Sequence, residues 1–364
     1  MNILLLCWRD TEHPQGGGSE RYLERVASHL ASRGHRVQYR TAAVKGKDYR
    51  ESRGGVAFLR RGGRMSVYVT VAAEMLLGKH RDVDVVVDTQ NGIPFFATWW
   101  LRKPTVVLTH HCHREQWPVA GPLLSRIGWF LESRVAPWAY RKSQYVTVSE
   151  PSKQELVDLG VAKQRIAIIR NGLDPVPAFA PLESDGKTHL VTLSRLVPHK
   201  QIEHALDVIA AVSAGHDVVL DVIGSGWWEE ELRSYAVSLG VQDKVVFHGH
   251  VSEAVKHALL DRAKVQLMPS RKEGWGLAVM EAGQHAVPTI GYLSSAGLKD
   301  SIRDGETGIL VRDKAELIRA TYRLLEDPEL RNNLGRAAKE RSSQFSWELT
   351  GEEFATLLEQ QAQR

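Results

Sequence analysis

The sequence is short of cysteine and of long apolar runs, and both shortages narrow what the protein can be. Two cysteines in 364 residues, Cys7 and Cys112, supply no disulfide framework and no zinc-type spacing. They read as small buried strand residues in a reducing cytosol. No stretch reaches the roughly 18 apolar residues that cross a bilayer. Met1 to Cys7 is apolar but too short for a signal peptide and lacks a basic leader. There is no short-period repeat and no P-loop lysine motif, and the glycines at 16–18 fall short of a full dinucleotide fingerprint. The tryptophans Trp99, Trp100, Trp117, Trp129 and Trp138 are not interleaved with basic residues as a single-strand stacking platform would need. They read as core or cleft-wall residues. The expectation is a cytoplasmic protein with no nucleic-acid partner.

What is present is an ordinary globular balance, 43% hydrophobic and 25% charged, in a chain long enough for two cores. The net charge of +4 is unevenly spread. Residues 1–180 hold 26 Lys and Arg against 16 Asp and Glu; the rest holds 21 against 27. The basic half suits an anionic lipid surface, a phosphorylated acceptor or nucleic acid. Within it, Lys45, Lys47, Arg50, Arg53, Arg60, Arg61 and Arg64 face only Asp48 and Glu51 in their segment. That segment reads as a solvated loop or as a contact with anionic headgroups.

Asn2 to Cys7 reads as a buried strand. Gly16-Gly17-Gly18 and a helix capped by Ser19 follow, Gly34 closes the helix, and Val37 to Thr41 is the next strand. This βαβ opening predicts a parallel doubly wound sheet. Further strands are expected at Val83–Val87, Thr105–Thr109 and Tyr145–Val148. The proline-rich segment Pro175 to Pro181 reads as a linker. After it, strands at His189–Leu193, Val218–Ile223, Lys244–Phe247, Val265–Met268 and Thr289–Ile290 alternate with helices. The expected organisation is two Rossmann-like α/β domains, 1–176 and 177–345, facing a cleft. A C-terminal helix within 346–364 should pack back on the first domain.

The run from Pro269 to Ala282 carries the most chemistry. It joins a strand to a helix through Glu273-Gly274-Trp275-Gly276-Leu277 and places Glu281 on the helix. Such a turn aims free N–H groups and a positive helix end at an anion. Two carboxylates beside an anion site make sense when the ligand also carries hydroxyls, as a nucleotide-sugar does. Arg195 and Lys200 follow another strand, where open sheets bind ligands, and can offset a diphosphate. Gly224-Ser225-Gly226 adds unblocked amides after a third strand. In Thr109-His110-His111-Cys112-His113, adjacent strand residues point to opposite faces, so the histidines do not share an ion. One of them entering a cleft is the reading preferred over metal.

Pro-Ser-x-x-Glu273-Gly-Trp-Gly-Leu-x-x-x-Glu281-Ala resembles the signature of family-4 retaining glycosyltransferases with the GT-B fold. Arg195 and Lys200 resemble that family's diphosphate pair. Arg170-Asn171-Gly172-Leu173-Asp174, Val148-Ser149-Glu150 and Gly17-Gly18-Ser19-Glu20 resemble further family elements in family order. The resemblance implies that Glu273 binds sugar hydroxyls and Glu281 the ribose. Arg195 and Lys200 would hold the diphosphate with amides near Gly276 and Leu277, and Gly18 would lie under the phosphates. His110 or His111 would contact the donor sugar, with His111 favoured by the Thr-x-His spacing. It also implies a metal-independent, retaining transfer from a GDP- or UDP-sugar to a glycan, glycolipid or phosphorylated acceptor, without a cofactor. Ala286 stands where the family often has glycine, so the backbone there should avoid positive φ. The segment from Gly291 to Ser301 lacks a common acidic residue and should help shape the site. The rival readings are a sugar-nucleotide epimerase on the same fold and a non-catalytic nucleotide- or nucleic-acid-binding protein.

Overall fold

The computed structural model describes residues 1–113, 117 and 121–363. The chain divides into two compact units, Met1–Gly172 with Ser346–Arg364, and Leu173–Phe345. Each is a sheet of mostly parallel strands covered by helices.

The first unit contains β1 (Asn2–Leu6), β2 (Arg36–Thr41), β3 (Arg50–Arg53), β4 (Val56–Arg60), β5 (Val85–Thr89), β6 (Thr105–Leu108), β7 (Gln144–Thr147) and β8 (Ile166–Ile168). Their order is β3-β4-β2-β1-β5-β6-β7-β8, and only β3 runs antiparallel. Sequence reasoning left residues 45–64 as a loop. They fold instead into a β3–β4 hairpin, because Val56 and Phe58 alternate inward while Arg50 and Ala57 stay outside. The first helix, Gly18–Ser32, has Gly17 rather than Ser19 at its N-cap, and the Glu20 carboxylate reaches back to the Gly17 N–H at 2.8 Å. The helix Trp347–Ala362 lies against this one. Gly351 fits where a Cβ would stand 2.2 Å from the His29 ring, and His29 bonds Glu352 at 3.2 Å.

The second unit contains β9 (Thr188–Leu193), β10 (Val218–Ile223), β11 (Val245–Gly249), β12 (Val265–Met268), β13 (Thr289–Tyr292) and β14 (Gly308–Val311). All are parallel, in the order β11-β10-β9-β12-β13-β14. The near-continuous Val, Leu and Ile run of β10 follows from burial on both faces. Neighbouring connections turn opposite ways between β9 and β12, and between β1 and β5 in the first unit. Open α/β sheets bind ligands outside the carboxyl ends of their strands at such switch points.

Candidate functional site

In the second unit the loops that leave β9 and β12 flank the switch point, and they carry the residues singled out above. The first holds Arg195 and ends in a short turn at Pro198–Lys200; the second holds Glu273. The Lys200 ammonium donates to Glu273 Oε1 at 2.5 Å, with both side chains mostly shielded. The Arg271 N–H donates to the His199 carbonyl at 2.9 Å, so backbone also ties the two loops. A cation and a carboxylate distant in sequence thus meet beside the start of the Leu277–Gln284 helix.

Gly276 begins that helix at φ +85°, a conformation that glycine takes without strain. The first amides of the helix have no preceding turn to bond, and Leu277 is partly exposed. Trp275 differs from the expected ligand contact. Its indole is 2% exposed and packs edge-on against Phe345, so it anchors the turn to the core and leaves only backbone for a ligand. Gly224 and Gly226 also act differently from a free amide cradle. A Cβ on Gly224 would stand 1.9 Å from the Ser194 carbonyl, and one on Gly226 2.0 Å from that of Leu196. The Ser194 and Leu196 N–H groups donate to Ile223 and Ser225 in return. These glycines let one loop lie flat beneath the loop that carries Arg195. The guanidinium of Arg195 is exposed, and among the described residues no carboxylate pairs with it.

Glu281 accepts from Lys256 at 2.7 Å, and Lys256 donates equally to Glu253. Burial works against the Lys256 charge, but Glu281 and Glu253 outweigh it and raise the pKa. Sequence reasoning missed Lys256, which sits on a helix with no distinguishing motif. It also missed Gly297, where a Cβ would stand 2.2 Å from the Glu273 carbonyl. The segment from Gly291 to Ser301 therefore braces the Glu273–Gly274 turn directly. Ala286 is a correction. Its φ is +56°, because the helix ends in a tight reversal closed by Ala286 N–H to Gly283 and Val287 N–H to Ala282.

At the first unit's switch point the buried Glu20 gathers Arg9 at 2.7 Å, Ser19 at 2.9 Å and Asn91 at 3.2 Å, besides the Gly17 N–H. This fixes the loop of Gly17 and Gly18, both of which are exposed. The two histidines part company just beyond β6. His110 is buried edge-on against Tyr22, and burial lowers its pKa to about 4. His111 is partly exposed and stacks on His113 at 4.6 Å. The expected headgroup contact at Lys45–Arg64 meets a different fate. Arg60 is buried and bonds Asp10 and Glu51, Arg53 bonds Glu12 and Glu24, and Lys47 pairs with Glu12. These three cations are paired inside the unit, whereas Lys45, Arg50, Arg61 and Arg64 stay exposed.

Among the described residues no group of three or more His, Cys, Asp or Glu side chains could hold a metal ion. The Asp82-Val83-Asp84 pair, which sequence reasoning passed over, lies before β5 at the amino end of the sheet. Asp84 there accepts from the Asn2 N–H.

A family model described as Glycosyltransferase Family 4 matches residues 16–176, and one described as Glycosyl transferases group 1 matches residues 178–341. The chain belongs to the family-4 glycosyltransferases. It is 28% identical over 374 residues to a GDP-mannose-dependent α-(1-6)-phosphatidylinositol monomannoside mannosyltransferase of Mycolicibacterium smegmatis, covering 95% of each chain. It is 30% identical over 222 residues to the glycogen synthase of Mycobacterium tuberculosis, which takes in 59% of this chain and 53% of that protein. The chain thus spans about half the length of that relative. Sucrose-phosphate synthase from Thermosynechococcus elongatus superposes with a TM-score of 0.79 at 20% identity, covering 99% of this chain and 98% of that one. Anabaena HepE in complex with UDP and glucose gives 0.76 at 18% identity, covering 99% and 100%. The likeness establishes the GT-B fold for this family member.

Proposed function

We propose that this protein is a retaining glycosyltransferase that moves a hexose from a GDP- or UDP-sugar to a hydroxyl of a glycan, glycolipid or phosphorylated acceptor, without a metal ion. The Lys200–Glu273 contact across the β9–β12 switch point carries the reading. It sets a cation for a leaving diphosphate beside a carboxylate for sugar hydroxyls. One relative is named for GDP-mannose, and one structural neighbour holds UDP and glucose; both are hexosyl chemistry.

In this proposal the bond from the anomeric carbon to the diphosphate breaks, and its electron pair leaves with the phosphate oxygen. Arg195, Lys200 and the amides at Gly276 and Leu277 stabilise the charge where it builds. The acceptor oxygen bonds the anomeric carbon on the same face, and its proton passes to the departing phosphate oxygen. Glu273 orients the sugar and Glu281 the ribose, and His111 is the histidine that the family resemblance assigns to the sugar.

Thermal unfolding with GDP, UDP, ADP and dTDP, each with and without magnesium, tests the site. A ligand at 100 times its Kd adds about 2.7 kcal/mol, or roughly 5–10 °C for a unit of this size. One diphosphate raising the midpoint equally with and without magnesium is the expected result. No shift from any of the four would remove the donor site.

A further inference from the structure

The most unusual surface lies away from the donor loops. Residues Pro122–Phe130, Leu131–Val135 and Ala136–Ala139 run as one continuous rod, with helical backbone angles through the π-turn in its middle. A water-facing side of such a rod is normally polar. Here the exposed positions step along one side as Leu123, Ile127, Phe130, Arg134 and Trp138, with Leu124 and Arg126 beside them. Leu123 is 71% exposed, Phe130 59% and Trp138 60%. Trp138 meets the half-exposed Trp99 at 6.4 Å, and Arg141 lies 5.2 Å over its ring. Both tryptophans depart from the core or cleft-wall role that the sequence suggested.

Among the described residues of this rod the exposed charges have one sign. Arg126, Arg134, Arg141 and Lys142 are exposed, with Arg102 near Trp99 in sequence. The only carboxylate of the rod, Glu132, is fully buried by the π-turn and bonds inward to the His113 N–H and Trp117 Nε1. Large apolar and aromatic groups rimmed by arginine, with no exposed acid among the described residues of the rod, match the boundary between anionic headgroups and acyl chains. A second copy is a poor occupant. A twofold contact over this face would bring Arg126 and Arg134 against positive copies of themselves.

We infer that the 122–139 rod, with Trp99, docks the protein on an anionic lipid surface. In the segment 45–64, Arg53 and Arg60 are paired within the unit. The inference stands apart from sugar transfer, since none of these residues belongs to the donor loops.

Flotation with vesicles of phosphatidylcholine alone, and of phosphatidylcholine with one third phosphatidylglycerol, tests it. The intact protein should float with the anionic vesicles, release in high salt, and leave neutral vesicles largely unbound. Arg126→Gln with Arg134→Gln should weaken anionic binding about thirtyfold. Ile127→Ser with Phe130→Ser should weaken it at least as much. Both pairs are exposed, so the melting midpoint and its response to nucleoside diphosphate should hold. Failure to float with anionic vesicles would overturn the inference, as would undiminished binding by both double variants. Self-association in sedimentation that the Ile127→Ser/Phe130→Ser variant abolishes would reassign the face to a second copy.

Discussion

Lys200 and Glu273, 73 residues apart, meet in a mostly shielded place. Lys200→Met should lower kcat by about 10² to 10³ with a smaller change in KM, as loss of one electrostatic stabiliser does. Steady-state kinetics with the donor that the melting screen selects measures this. Glu273→Ala should abolish transfer while circular dichroism and the melting profile stay native; unchanged turnover would remove the assignment. The adjacent histidines should separate cleanly. His111→Ala should cost turnover. His110→Phe replaces a buried ring that packs on Tyr22, so it should keep turnover and change stability by no more than about 1.5 kcal/mol. The Glu273 signature was legible because spacing, glycine and charge coincide in one short run. Lys256 and Gly297 were not, because each matters only through what folding sets against it.

At the scale of elements, glycines govern how closely loops approach. Gly224 combines φ +125° with a Cβ position 1.9 Å from the Ser194 carbonyl. Gly224→Ala should cost about 3 kcal/mol from strain and displacement. It should also blunt the diphosphate response by moving the Arg195 loop, which denaturant titration and the melting screen together detect. The strands β9, β10 and β11 share a second device. Asp221 accepts from His189 and His248 at 2.7 Å each and from Arg262 at 3.0 Å. Burial opposes its ionisation, yet these partners prevail and bring its pKa to about 2. Burial likewise opposes charge on His189, but hydrogen bonds to Asp221 and Asp185 raise its pKa. The signs follow from linkage. The Asp221 contribution is present above its unfolded value near 4 and is lost as pH falls toward 2; it amounts to roughly 2 kcal/mol. The His189 contribution is complete below about 6.5 and is lost as pH rises through the raised value. Stability should therefore decline on both sides of weakly acidic pH, and Asp221→Asn should flatten both limbs while costing about 3 kcal/mol.

At the scale of the molecule, two units with separate cores should unfold in more than one step. Calorimetry should resolve two transitions. A nucleoside diphosphate should raise chiefly the one belonging to Leu173–Phe345, which holds Arg195, Lys200, Glu273 and Glu281. Equal movement of both transitions would place the ligand differently. The C-terminal helix Trp347–Ala362 melts with the first unit in this scheme, because its partners are Gly18–Ser32 and the Arg170 carbonyl that Thr350 reaches at 2.9 Å.

The βαβ order, the parallel sheets and the donor-loop motifs were determined by the sequence alone. Buried parallel strands must be runs of Val, Leu and Ile, and a turn that grips a phosphate needs glycine and charge at fixed spacing. The tertiary structure decided what local pattern does not encode. It turned the basic segment at 45–64 into an ion-paired hairpin, because Asp10, Glu12 and Glu24 come to it from another strand end and another helix. It let Ala286 take positive φ, because the backbone bonds closing the helix require that turn. It also left Phe130 and Trp138 outside, since which side of an apolar rod meets the core depends on the neighbours that cover it.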